Sequence, residues 1–131
     1  MKPVVVQGMV IRGEQIGERQ GYPTANFSGS VLRGTGLTAG VYVARTVLRG
    51  RSYRALAVFG VPGKRIQKRG KTELYILNHP NRVLYGQRIS FIVYKKIRPL
   101  YWYQREAALL ARIRRDIRIA RAYRYPTQGN I

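Results

Sequence analysis

The sequence changes character once, near residue 104, and that change limits the fold more than any other feature. Residues 104–123 contain no glycine or proline and are dominated by alanine, leucine and arginine, all good helix formers. At about 100° per residue, Leu109, Leu110, Ile113, Ile117 and Ala120 fall within about one third of the helical circumference. Arg105, Arg112, Arg114, Arg115, Arg118 and Arg121 occupy the rest. The pattern predicts an amphipathic helix docked along one face, with a basic outer face, ended by Pro126 and Gly129. Asp116 sits at the edge of the apolar stripe and reads as a structural partner for an arginine.

Everything before that helix reads as strands and turns. Val4-Val5-Val6 and Met9-Val10-Ile11 flank Gly8, which suggests a bulge inside one strand. Residues 12–40 carry seven glycines, a stretch long enough to be functional if it is a loop. Residues 41–48 and 53–59 form a hairpin pattern joined across Arg49-Gly50-Arg51-Ser52. Residues 74–77 make a short strand and 84–97 a longer one, in which Ile89, Phe91 and Val93 alternate with Ser90, Ile92 and Tyr94. Strands followed by a terminal helix predict a small β-barrel capped by that helix. With 45% hydrophobic residues in 131, one core is expected, so residues 1–125 are read as one domain and 126–131 as a loose tail.

Composition narrows the function classes. The chain has no cysteine, so disulfides, thiolate metal sites and a cysteine nucleophile are excluded, and its one histidine, His79, forms no cluster and reads as a surface turn residue. No apolar run approaches the roughly 18 residues of a membrane span. The short Val4-Val5-Val6 run is no secretory signal, so a cytoplasmic protein without membrane contact is expected. The 25 basic residues, 19 of them arginine, face 5 acidic ones, a net charge of +20. That charge attracts polyanions and makes non-specific nucleic-acid binding an expectation, although a solvated, self-repelling surface explains it equally well.

Two phosphate-loop patterns can be rejected. Gly70-Lys71-Thr72 matches the end of a Walker A motif, but the required earlier glycine is Arg65. No G-x-G-x-x-G follows the first strand. What remains is Gly13, Gly17 and Gly21 at four-residue spacing, followed by Tyr22-Pro23-Thr24-Ala25-Asn26-Phe27. Such glycines let backbone N–H groups approach phosphate oxygens. Pro23 holds Tyr22 extended, and in an extended segment Thr24 and Asn26 share a face. A hydroxyl and an amide oxygen side by side suit a hard cation such as Mg²⁺ that is shared with phosphates. Taken alone, such a pair is more often structural.

The run Gly21-Tyr22-Pro23-Thr24-Ala25-Asn26 closely resembles the G-[FY]-P-T-A-N signature of riboflavin kinases, including the kinase module of bacterial bifunctional FAD synthetases. Further matches follow in order: Gly8-Met9-Val10-Ile11, Gly40-Val41-Tyr42, Glu73-Leu74-Tyr75-Ile76-Leu77, Leu84-Tyr85-Gly86 and Ile97-Arg98-Pro99. Tyr103, Leu109, Ile113 and Asp116 fall at the family's spacings, so the likeness covers residues 6–120. It implies a six-stranded antiparallel β-barrel with a C-terminal helix. It implies transfer of the ATP γ-phosphoryl to the ribityl terminal hydroxyl of riboflavin, giving FMN and ADP.

By position, Thr24 and Asn26 would hold Mg²⁺, or another divalent cation, and the nucleotide phosphates, with Gly13, Gly17 and Gly21 in the phosphate loop. Glu73 would be the general base, and Arg98 and Tyr103 would meet the flavin. Glu73 is also chemically apt, since a cation beside a carboxylate keeps it ionised and able to accept a proton. Tyr101 and Trp102 pack the helix or line the flavin slot. The likeness departs at Gly60-Val61-Pro62-Gly63, at Leu100 and across residues 78–83. A monomer is expected, without FAD synthesis because Met1 lies just before the first strand. The rival reading is an inactive kinase-like barrel that serves as an RNA-binding or ribosome-associated protein.

Overall fold

A computed structural model describes residues 1–12, 24–60, 72–80, 84–100 and 105–126. Six strands run in chain order: β1 (Val4–Met9), β2 (Thr24–Phe27), β3 (Gly40–Leu48), β4 (Arg51–Phe59), β5 (Thr72–Ile76) and β6 (Arg88–Arg98). A short 3-10 turn, Gly29–Leu32, follows β2, and one helix, α1 (Glu106–Ala122), follows β6. The strands form one antiparallel sheet ordered β1-β6-β3-β4-β5-β2. The sheet curls until its two edges meet, where the Ile11 N–H donates to the Asn26 carbonyl at 2.7 Å. Register shifts between β3 and β6, at Val41/Tyr42 and Val43/Ala44, supply local twist for that curl. The barrel with a C-terminal helix is the architecture expected.

Alternation, interrupted in β6 at those two register shifts, sorts the side chains into two cores. Val6, Phe27, Ala44, Ala57, Leu74 and Phe91 fill the barrel interior. Val41, Val43, Leu56, Tyr75 and Tyr94 face outward and are covered by Leu110, Ile113, Ile117 and Ala120 of α1. The stripe read from the sequence is therefore the docked face, while Arg114, Arg115, Arg118 and Arg121 are exposed. Arg54 fixes the helix end by donating from Nη1 to the carbonyls of Ala120 at 3.1 Å and Tyr123 at 2.7 Å.

Three expectations need correction. Gly8 makes no bulge: β1 pairs with β6 in unbroken register from Val4↔Val93 to Met9↔Arg88. A Cβ on Gly8 would lie 2.5 Å from Cγ1 of Val31 in the 3-10 turn, so close approach explains the glycine. The hairpin joins over two residues, not four, because Arg49 and Gly50 both take positive φ (50° and 76°), as a tight primed turn requires. The long last strand starts at Arg88 instead of residue 84, since Leu84 to Gln87 turn back on themselves through a 3.2 Å bond from the Gln87 N–H to the Leu84 carbonyl. Residues 127–131 of the expected tail lie outside the described residues.

Candidate active site

Strands β2 and β5 pair with Thr24 opposite Tyr75, Ala25 opposite Leu74, Asn26 opposite Glu73 and Phe27 opposite Thr72. Ala25, Phe27, Leu74 and Ile76 point into the barrel core, so Thr24, Asn26, Glu73 and Tyr75 share the outer face. The Asn26 carbonyl is bonded to Ile11, away from β5, which makes Asn26 and Glu73 a non-hydrogen-bonded pair. Such pairs bring Cα atoms to about 4.5 Å with the side chains close together. Both are nearly enclosed, Asn26 at 6% exposure and Glu73 at 7%. An amide, a hydroxyl and a carboxylate thus sit on one small patch of a rigid sheet.

Sequence reading missed Tyr75. Its phenol donates a hydrogen bond to Glu73, and its pKa is raised well above 10.0 by burial first, then by the charge and hydrogen bond of Glu73, then by the charge of Asp116. A phenol that keeps its proton is a permanent donor, so it orients the carboxylate. The signal was present, since a residue two positions along a strand faces the same way.

Arg98, which the resemblance places at the flavin, is held by Asp116. Its Nε lies 3.0 Å from both carboxylate oxygens of Asp116, its Nη2 lies 2.7 Å from Oδ2, and its Nη1 donates to the Pro99 carbonyl at 3.2 Å. The pair is buried, at 8% and 2% exposure. Asp116 is thus the structural partner of an arginine, and the guanidinium is turned to the helix. Arg98 is aligned with Val41 of β3, which faces Val58 of β4, which faces Glu73. Arg98 and Glu73 therefore end one row across the outer face, three strand spacings or roughly 14 Å apart along the sheet. Gly13, Gly17, Gly21, Tyr22, Pro23 and Tyr101 to Tyr103 lie outside the described residues.

The donor set can be tested against a metal. Among the described residues no group of three or more His, Cys, Asp or Glu side chains gathers to hold one. The patch offers only oxygen donors, with one carboxylate. That fits a hard cation such as Mg²⁺, which takes few protein ligands and draws the rest from phosphates and water, and it does not fit a self-contained protein cage.

Comparison with known proteins agrees with this architecture. The family model for riboflavin kinase (flavokinase) matches residues 1–124, and the chain belongs to that family. It is 30% identical over 125 residues to the bifunctional riboflavin kinase/FMN adenylyltransferase of Buchnera aphidicola subsp. Schizaphis graminum, covering 93% of this chain and 39% of that protein. It is 27% identical over 116 residues to an RNA-binding riboflavin kinase of Bacillus subtilis, covering 86% of this chain and 48% of that protein. The crystal structure of riboflavin kinase from Trypanosoma brucei shares the fold, with a TM-score of 0.61 at 22% identity over 92% of this chain and 79% of that one. The chain spans less than half the length of these two sequence relatives.

Proposed function

We propose that this protein is an ATP-dependent riboflavin kinase. The observation that carries the reading is the register of β2 and β5, which sets Asn26 opposite Glu73 with Thr24 on the same outer face. Phosphoryl transfer asks little covalent help of a protein; positioning and charge neutralisation do most of the work. The Glu73 carboxylate accepts the proton of the ribityl terminal hydroxyl as that oxygen bonds to the γ-phosphorus. The bond from the γ-phosphorus to the β,γ-bridging oxygen breaks, and ADP leaves with the electron pair. Tyr75 holds the carboxylate at the required angle. Thr24 and Asn26 would hold Mg²⁺ and the phosphates, and the resemblance assigns Gly13, Gly17 and Gly21 to the same phosphate site. The cation, when bound, neutralises charge on the phosphate oxygens. Arg98, held by Asp116, and Tyr103 would meet the flavin.

The rival, an inactive barrel, would use Glu73 only as the acceptor for the buried Tyr75 phenol, with no substrate beside it. The test incubates the full chain with riboflavin, ATP and Mg²⁺ and follows FMN. The reading expects FMN from the wild type and strong loss with Asn26→Ala. No FMN from the folded wild type would favour the rival.

A further inference from the structure

The charge is not absorbed by the proposed site. Among residues whose side chains are described the only carboxylates, Glu73 and Asp116, are buried at 7% and 2% exposure. On α1, Arg114, Arg118 and Arg121 stand at i, i+4 and i+7, all exposed and joined by Arg115. Like charges at these spacings destabilise a helix unless something outside the chain neutralises them.

The stripe does not end with the helix. The Arg121 guanidinium reaches the Asn78 side chain at 3.4 Å, and the next residue, His79, meets the Tyr53 ring edge-on at 4.9 Å. Tyr53 and His79 form one wall of a cavity of about 480 Å³ at the mouth of the barrel, also lined by Arg49, Arg51 and Arg88. On the opposite face of β4 from Tyr53, Arg54 lies over the Tyr125 ring at 4.5 Å. Opposite Arg54 on that outer face, Arg45 is 4% exposed, with its guanidinium over the Tyr94 ring at 5.9 Å. Guanidinium groups and aromatic rings thus run together from the helix into a concave cup.

Single-stranded nucleic acid needs this combination: cations along its phosphates and rings on which unpaired bases stack. Arginine serves better than lysine here, because its planar fork matches phosphate and stacks on bases. RNA is the nucleic acid that commonly presents such unstacked loops and ends. An anionic membrane would need apolar side chains between the cations, and among the described residues of this face the large exposed ones are Ile119 on α1, 38% exposed, and Val47 at the cup, 51% exposed, against at least six arginines. We propose that the face running from the exposed arginines of α1 to the Arg49–Arg51–Tyr53 cup binds single-stranded RNA. This goes beyond the kinase reading and does not depend on it.

The test uses the full chain and a labelled single-stranded RNA oligomer of mixed sequence, with binding followed by fluorescence anisotropy over a range of salt. Combined Arg49→Gln, Arg51→Gln, Arg118→Gln and Arg121→Gln should weaken binding by roughly a hundredfold or more, and make the log–log salt dependence shallower by about 0.7 for each phosphate no longer neutralised. All four side chains are exposed, so the melting temperature and any FMN formation should stay at wild-type level. Tyr53→Leu should weaken binding by roughly 5- to 100-fold without changing the slope. Unchanged affinity and slope in the quadruple variant would overturn the proposal. So would preferential binding to phosphatidylserine vesicles, or duplex DNA bound as tightly as the RNA with Tyr53→Leu silent.

Discussion

Replacing Asp116 with asparagine isolates the contact that fastens the helix to the last strand. In the wild type the Arg98 guanidinium makes its 3.0 and 2.7 Å bonds to a carboxylate that is 2% exposed. Asparagine keeps the shape and one acceptor oxygen but removes the charge, leaving a guanidinium 8% exposed without its counter-ion. Breaking a buried pair from one side costs about 3–5 kcal/mol, and the retained acceptor points to the lower end. For a chain of 131 residues, between the measured size classes, a loss of about 3 kcal/mol lowers Tm by roughly 10–15 °C. Urea denaturation should show a lower midpoint with an unchanged slope. The companion Arg98→Met with Asp116→Leu removes both charges and should recover most of the loss, since an apolar pair of similar volume is often as stable as a buried ion pair. An Asp116→Asn protein melting within about 3 °C of wild type would refute the claim that the pair is desolvated and structural.

Tyr75→Phe removes the hydrogen bond onto Glu73 and should lower kcat for FMN formation roughly tenfold while leaving the helix docked, as judged by circular dichroism. An unchanged kcat would separate Tyr75 from the proposed base. Gly8→Ala places a methyl 2.5 Å from Val31 Cγ1 and should cost about 1–3 kcal/mol, largely restored by adding Val31→Ala, with a neutral single variant as the contrary result. Alkaline stability follows from the tyrosines. Burial pushes Tyr125 up to about 12 and Tyr75 well above 10.0. The folded state then holds these protons more tightly than the unfolded chain, so their contribution is full below pH 10 and falls as pH rises toward 12. Urea midpoints measured against pH should decline across that window, and less steeply in Tyr75→Phe.

Local chemistry was readable from the residues, and what depends on distant strands was not. Thr24 and Asn26 share a face because a strand alternates, and the docked stripe of α1 follows from helical period. That Asn26 faces Glu73 is a matter of register, set by how far the sheet curls and by the Ile11 bridge; neither segment encodes its partner. Asp116 reads as a partner for an arginine, yet only docking of the helix shows that the arginine is Arg98. Gly8 reads as a bulge because nothing near it in the chain announces Val31, which arrives from the turn after β2. Tyr75 is the opposite case. Its place beside Glu73 follows from alternation alone, and the motif around it drew attention to the carboxylate instead.

The most direct measurement is kcat for FMN formation by Glu73→Gln against wild type, at saturating ATP, riboflavin and Mg²⁺, with both proteins shown to melt alike. Loss of a general base from a site otherwise intact should reduce kcat by about 10²- to 10⁴-fold with little change in either KM. Turnover by Glu73→Gln equal to that of the wild type would contradict the assignment of the Asn26–Glu73 face as the place where phosphoryl transfer occurs.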